Sequence, residues 1–307
     1  ASGGSAIPGF GSTGKVKWQN AILRDTHIFS PNLYNEVRAS FHRLGSDGVI
    51  PLNHTSMSEL GLEKIVPDNA GAEGPPYVVP SGFSGWGNTI QGPQARFDNT
   101  WQYIDNLSWT RGRHFLKFGG EFRSFAQNQR FTYNNNGYIS ITGAGTGLGY
   151  VPQIPGLSPV LNDFANGFAT FFQQNSKAIQ GYRTRSVNLF AQDDWKVSRN
   201  VTLNLGLRWE YNSGIKEIND QVGAIRLGQK SKVFPDAPMN LVFPGDAGVS
   251  RSTIDADLNN FGPRAGFAWD ALGNGKLSVR GGYALMYDTP VSELTVQFMT
   301  VPPFGIG

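Results

Sequence analysis

The stretch Val201-Thr-Leu-Asn-Leu-Gly-Leu-Arg-Trp-Glu-Tyr211 decides the fold class. Its odd positions are all apolar, and its even positions carry Thr, Asn, Gly, Arg and Glu. Successive side chains of a β-strand point to opposite faces, so this alternation places an apolar row on one face and a polar row on the other. A helix would scatter both rows around its surface. The stretch therefore predicts a strand that separates an apolar medium from a polar one.

Seven further segments alternate in the same way, although Trp18–Phe29 does so least clearly. They pair through short connections with turn-forming residues, such as Arg111-Gly-Arg113 and Val197-Ser-Arg-Asn200, which suit antiparallel hairpins. The prediction is an all-β chain with about eight strands in four hairpins. The strands are placed at 18–29, 33–44, 99–110, 114–125, 184–196, 201–211, 261–270 and 277–288.

Three long stretches separate the hairpins, at 45–98, 126–183 and 212–260, and all are rich in Gly, Pro, Asn and Ser. Loops beyond ~15 residues are uncommon in compact soluble domains. Because all three lie at the same end of the hairpins, they predict an antiparallel transmembrane β-barrel, with short periplasmic turns and long extracellular loops. The ten steps of Val201–Tyr211, at ~3.3 Å each and a tilt of ~40°, give the ~25 Å height of an outer-membrane apolar band.

Composition excludes several classes of protein. The chain has 307 residues with no Cys, so disulfide scaffolds and cysteine zinc sites are excluded. No run approaches ~18 consecutive apolar residues, which excludes a transmembrane helix. The net charge of +3 is small and scattered and does not indicate a nucleic-acid partner. No cofactor is predicted.

Alternation also predicts which side chains face which medium. The lumen-facing candidates are Arg38, Lys117, Glu121, Arg123, Arg208, Glu210 and Arg280. Their simplest role is a ladder of charges that satisfy one another, and contact with substrate or a plug is the alternative. The membrane-facing aromatic girdle is predicted to contain Trp101, Trp109, Trp195, Trp209, Trp269 and Tyr287. Asp193 is the main exception on the apolar side, and it lies near a turn.

A soluble β-sandwich alternates equally well, and it is the structural alternative. The regular succession of short and long connections, together with the Trp positions, favours the barrel. In function the alternative is a secreted or surface-attached β-rich binding or structural protein. An enzyme ranks third, because no credible nucleophile or acid–base constellation is present.

Smaller motifs carry little chemistry. The four histidines lack ligand spacing, and the glycine-rich run Gly143–Gly149 lacks a surrounding βαβ unit, so it reads as a loop. Asp193-Asp194 could bind a cation, but one of the two carboxylates more simply faces the lumen and pairs with an Arg. The segment Leu161–Phe172 is either a short amphipathic helix or a strand extension. Aromatic residues of the long loops could contact a ligand or pack within the loops: Tyr77, Phe83, Trp86, Tyr133 and Tyr138.

As a set, six of these runs resemble TonB-dependent receptors of the Oar-like type, which are abundant in Acidobacteria and carry an N-terminal carboxypeptidase-regulatory-like domain. The resemblance extends from about Lys17 to Pro303. The runs are Phe29–Arg38, His114–Arg123, Asn188–Ser198, Val201–Tyr211, Asn260–Asp270 and Val279–Asp288. Any one of them alone would be only suggestive.

This resemblance implies a bacterial outer-membrane location, a barrel of about 22 strands or more, a periplasmic plug and energy from the TonB complex. Residues 1–16 and 289–307 would be parts of external loops, so we expect an internal fragment of a larger polypeptide. Other strands or another chain should then close the sheet, because open edges are not viable in lipid. The resemblance does not identify the ligand.

Overall fold

The computed structural model describes residues 7–61, 74–131, 133–175, 178–252, 254, 256–288 and 303–304. Strands dominate it, and the two helices are short. In chain order the strands are β1 (Ser12–Ser30), β2 (Leu33–Pro51), β3 (Tyr77–Pro80), β4 (Gln94–Arg111), β5 (His114–Phe131), β6 (Tyr138–Ile141), β7 (Phe171–Gln173), β8 (Ala178–Lys196), β9 (Val201–Asn212), β10 (Lys216–Glu217), β11 (Ala224–Ile225), β12 (Leu241–Val242), β13 (Phe261–Asp270) and β14 (Ser278–Ala284). The helices are α1 (Ala144–Gly147) and α2 (Pro159–Ala165).

One large sheet contains all eight predicted strands, in the order β1-β2-β4-β5-β8-β9-β13-β14. Every neighbouring pair along this path is antiparallel, and β10 continues the pairing of β8 beyond the end of β9. Each strand therefore pairs with the main strands before and after it in the chain. The all-β antiparallel fold class is confirmed. Within the described residues the sheet stays open, with β1 and β14 at its two edges.

Short turns join the strands at one end of the sheet, which we call the turn end. Gly112 connects β4 to β5 with a φ of 59°, a left-handed conformation that favours glycine. Gly273 and Gly275 adopt similar conformations in the turn between β13 and β14. All three long connections lie at the opposite end, which we call the loop end. No helix in the described part of the chain is long and apolar enough to cross a membrane.

Several strands extend further toward the loop end than predicted. β2 continues to Pro51 and β4 starts at Gln94, so both ends of the expected loop 45–98 are strand. β5 reaches Phe131 and β8 starts at Ala178, which shortens 126–183 in the same way. The prediction was wrong here because it relied on an apolar row. Beyond that row the alternation breaks down, because Asp47, Arg130 and Arg183 lie on the face that is apolar nearer the turns.

The two ends of the chain also differ from expectation. β1 starts at Ser12, so residues 12–16 are strand rather than loop. β14 ends at Ala284, four residues before the predicted end at 288. The expected external loop 289–307 lies almost entirely outside the described residues.

The first two long loops fold together. Their strands β3, β6 and β7 form a separate three-stranded sheet in which β3 and β6 are parallel. For the segment Leu161–Phe172, the first part belongs to helix α2 and the last two residues to β7, so it does not extend a strand of the large sheet. The third loop contains the small β11-β12 hairpin.

The buried apolar residues lie mainly in or beside the loops. Tyr182 and Val222 are each 1% exposed and form a cluster with Ile215. By contrast, Leu205 and Leu207 of the large sheet remain 43% and 48% exposed. No second sheet in the described residues packs against this leucine row, as a β-sandwich would require.

Candidate functional site

All seven predicted lumen-facing side chains lie on one face of the sheet, which we call the polar face. Directly paired residues of neighbouring strands share a face, so the register assigns each side chain. One continuous row joins Arg38 to Ile104, Glu121, Asn188 and Glu210 across five strands. Two-residue periodicity then places the remaining candidates on the same face: Lys117, Arg123, Arg208 and Arg280.

The predicted girdle residues that lie in strands are all on the opposite face, which we call the apolar face. Near the turn end, Trp109 pairs with Leu33 and Leu116, and the register places Trp195 and Trp269 on the same side. Trp101 lies further toward the loop end, with its ring centroid 4.5 Å from that of Phe41. Trp209 donates a hydrogen bond from its indole nitrogen to the Leu258 carbonyl at 2.8 Å.

Two girdle positions differ from their predicted surroundings. Trp101 lies two residues from the start of the predicted strand 99–110, but β4 continues seven residues beyond it to Gln94. Tyr287 lies past the end of β14, and its hydroxyl donates to the Phe261 carbonyl at 3.2 Å. The hydroxyl therefore connects the chain after β14 to the start of β13.

Charges on the polar face are largely paired with neighbouring polar groups. Gln102 donates to Glu121 at 3.0 Å, and Arg123 donates to the same carboxylate oxygen at 2.7 Å. Arg208 and Glu210 form an ion pair, with 2.5 Å between Nε of the arginine and Oε1 of the glutamate. Arg280 donates more weakly to Ser278, at 3.3 Å. Within the described residues, Arg123 with Glu121 and Arg208 with Glu210 are the ion pairs of the predicted set, and its role as a charge ladder in a lumen stays a prediction.

Shallow grooves between the ladder residues line the polar face. One of about 420 Å³ lies near the turn end and includes Glu36, Lys117 and Arg208 in its wall. Arg264 of β13 lines it too, although it was absent from the predicted set. Alternation along Phe261–Asp270 could have predicted it, because Arg264 lies out of phase with the apolar residues Ala265, Phe267 and Trp269. A second groove of about 400 Å³, with Gln102 and Arg123, lies further toward the loop end.

Among the described residues, the long loops cover the polar face at the loop end and leave most of the apolar face there exposed. Gln180 is 3% exposed on the polar face, whereas its neighbour Ile179 on the apolar face is 61% exposed. Buried Glu217 fastens the third loop there, since its carboxylate accepts the amides of Gly181 at 2.9 Å and Asn219 at 2.6 Å. The polar face is thus the side of the sheet on which the chain's own loops pack.

Asp193 and Asp194 point to opposite faces. Asp194 lies on the polar face, but its partners are Asn204 at 2.7 Å and Gln192 at 3.2 Å rather than the expected arginine. Asp193 lies on the apolar face and contacts His114. Among the described residues no group of three or more His, Asp or Glu side chains could hold a metal ion.

The loop aromatics divide into packed and exposed residues. Tyr77 stacks on Tyr138 with 6.3 Å between centroids, and Trp86 meets Phe164 edge-on at 5.3 Å. These contacts join the first two loops. Phe83 and Tyr133 are 51% and 37% exposed.

Two loop carboxylates organise the turns around them. Asp163 accepts the amides of Gly145 at 2.9 Å and Thr146 at 2.7 Å, together with the Thr146 hydroxyl at 2.6 Å. Burial alone would raise the pKa of Asp163, but these hydrogen bonds outweigh it and lower the pKa below its usual value. Asp246 is held in the same manner in the third loop, where its pKa falls to about 2.

A large antiparallel sheet with one apolar and one polar face, short turns at one end and long loops at the other defines the class of outer-membrane β-barrel proteins. The family model described as "Outer membrane beta barrel domain" matches residues 1–306. The chain belongs to this family, which places it in the lipid environment of the bacterial outer membrane.

Comparison with solved structures gives distant similarities. The ferric-catecholate import receptor Fiu from E. coli K12 is 14% identical in its open form, with a TM-score of 0.44, over 88% of this chain and 35% of that one. Its closed form is 15% identical, with a TM-score of 0.43, and the coverages are 88% and 33%. The outer membrane transporter YddB from Escherichia coli is 12% identical, with a TM-score of 0.40, and the coverages are 89% and 26%.

The chain thus spans about a third of the length of these structures or less. No curated protein matches it.

Proposed function

We propose that this chain forms wall strands and external loops of a TonB-dependent receptor of the Oar-like type, which takes up or binds a ligand at the cell surface. The proposal rests mainly on one observation, which is that the sheet has one polar and one apolar face. The ladder residues and the loops share the polar face, and the exposed Leu205, Leu207, Trp101 and Trp269 share the other. In this proposal the polar face lines the lumen and the apolar face contacts lipid, without catalysis by this chain.

Energetics support this assignment of faces. Turning the sheet over would direct Arg208 and its polar neighbours toward lipid, at ~2–4 kcal/mol for an arginine near the midplane. It would also leave Leu203, Leu205 and Leu207 in the lumen.

The test of the lipid-facing side uses spin labels in reconstituted membranes. Labels at Leu203, Leu205 and Leu207 should be relaxed by dissolved oxygen and protected from a water-soluble nickel chelate. Labels at Thr202 and Asn204, on the other face of the same strand, are the matched control and should show the opposite preference. Leucine positions that prefer the nickel chelate would refute the barrel wall.

Coupling to TonB needs a separate test with the full-length polypeptide that carries this chain. It should bind the purified periplasmic domain of TonB after extraction in detergent. Release of the polypeptide from membranes without detergent would instead support the surface-attached binding protein. Stable membrane insertion without TonB binding would refute TonB-dependent transport but would remain consistent with a barrel wall.

A further inference from the structure

Positive charge is concentrated on the apolar face at the loop end. Asp47 is the one acidic residue of the described strands that lies in this region. The register places seven cations there: Lys15, Lys17, Arg43, Arg130, Arg183, Arg185 and Lys216. The other carboxylates on this face, at Asp25, Asp105 and Asp193, lie closer to the turns. The loop end of the apolar face is therefore cationic.

Three of these cations surround a groove of about 590 Å³. Lys15 and Lys17 come from β1 and Arg43 from β2, and all three are exposed. Phe97 and Gly45 also line the groove. The absence of a side chain at Gly45 keeps it open, because a Cβ there would lie 3.4 Å from the Phe97 ring.

The carboxylates of the described residues leave the groove with a net positive charge. Asp47 lines the groove and is paired with Lys15 in the register, yet no carboxylate of the described residues forms an ion pair with Lys15, Lys17 or Arg43. Arg43 lies over the Phe97 ring, 6.0 Å from its centroid. Three cations against one carboxylate leave a net positive site that suits an anion with several oxygens, such as phosphate.

The height of the groove points to a lipid as the source of that anion. Arg43 lies ten residues above Leu33 on β2, which is ~33 Å along the strand and ~25 Å of height at a tilt of ~40°. This is the full height of an apolar band, so the guanidinium reaches the headgroup level. Directly below it, Phe41 and Trp101 form an apolar surface on which acyl chains can lie.

We propose that Lys15, Lys17 and Arg43 form a binding site for the phosphate of an outer-leaflet lipid, whose acyl chains descend over Phe41 and Trp101. The site rests on the proposed assignment of the apolar face to lipid. It adds a specific lipid partner, at one edge of this sheet, to a wall that otherwise contacts the bilayer without selectivity.

The test measures binding of bis-phosphorylated lipid A to the full-length polypeptide in detergent by native mass spectrometry. The wild type should retain lipid A, and K15Q/K17Q/R43Q should bind it on the order of 100-fold more weakly, at roughly fivefold per cation. The matched control R111Q/R199Q/K276Q removes three cations from the turn end and should retain the lipid. Equal binding by the wild type and K15Q/K17Q/R43Q would overturn the proposal.

Two further arms identify the source of the phosphate. Dephosphorylated lipid A should not be retained by the wild type, and excess inorganic phosphate should not displace bound lipid A. Equal retention of the dephosphorylated lipid, or full displacement by inorganic phosphate, would refute a lipid phosphate site. If the triple variant fails to fold, K17Q alone and the charge-preserving K15R/K17R/R43K decide: binding should weaken in the first and persist in the second.

Failure of this site is distinguishable from failure of the barrel wall. Spin labels at Leu203, Leu205 and Leu207 report the lipid contact of the wall far from the groove. Normal labels with unchanged lipid A binding in the glutamine variant would reject the site alone.

Discussion

Nδ1 of His114 lies 2.7 Å from Oδ2 of Asp193 on the apolar face of the sheet. The His114 ring also stacks on Trp195, with 5.3 Å between centroids and 16° between planes. Alternation placed Asp193 on the apolar side, but only the register brings a partner from the neighbouring strand beside it. An apparent defect in the apolar row is thus a hydrogen-bonded pair close to the turns.

The His114–Asp193 pair predicts an asymmetric response to substitution. Asp193→Leu should destabilise the refolded protein by about 1 kcal/mol, because it leaves a half-buried imidazole without its partner. The double variant H114L/D193L should recover most of this loss, since apolar side chains suit this face. Urea unfolding in liposomes measures all three proteins. A double variant less stable than D193L would contradict this prediction. It would show that the hydrogen-bonded pair stabilises the fold more than two leucines at these positions do.

Charge introduced on the apolar face should be costly in a way that charge on the polar face is not. Leu205→Arg is expected to lower the free energy of unfolding in liposomes by ~2–4 kcal/mol if this position is near the bilayer midplane. Asn204→Arg, one residue earlier on the same strand, is the matched control and should change it by less than about 1 kcal/mol. The folded fraction follows from heat-modifiable migration in a gel. Equal losses would contradict the assignment of the two faces.

The sequence predicted the eight main strands and both faces because alternation is a local signal. Strand limits at the loop end could not be predicted, since Lys15 and Arg183 remain in the hydrogen-bonded ladder where the apolar row has ended. Arg264 could have been included among the polar-face residues by the same alternation. Partners across strands, such as His114 for Asp193, depend on register and lie many residues apart. The joining of the first two loops through β3 and β6 had no periodic signal.

We expect the stability of the third loop to depend on pH through the carboxylate of Asp246. Its carboxylate accepts hydrogen bonds from the Ser231 hydroxyl at 2.7 Å and from the amides of Lys232 at 2.7 Å and Phe243 at 2.9 Å. Burial favours the neutral acid, but these bonds favour the carboxylate more and lower the pKa of Asp246 to about 2.

Because the folded pKa is depressed, this stabilisation is complete above the unfolded value of ~3.9 and is lost as the pH falls through about 2. The loss should reach on the order of 2 kcal/mol. Hydrogen exchange of the Lys232 and Phe243 amides should show protection that falls over this range. Asp246→Asn should lower protection at neutral pH and remove most of the pH dependence. Protection independent of pH in the wild type would contradict this role.

Gly119 lies on the polar face at a position where we expect even an added methyl group to destabilise the fold. It pairs with Phe190, whose ring lies over it, so that a Cβ would come within 2.5 Å of that ring and 2.4 Å of the Asn106 amide oxygen. Gly119→Ala should therefore destabilise the refolded protein by ~1–3 kcal/mol through overpacking. Gly282→Ala is the matched control on the same face, because its Cβ would meet its nearest atom at 3.4 Å, an ordinary contact. Urea unfolding in liposomes compares the two, and a Gly119→Ala variant as stable as Gly282→Ala would show that the Phe190 ring turns away without loss.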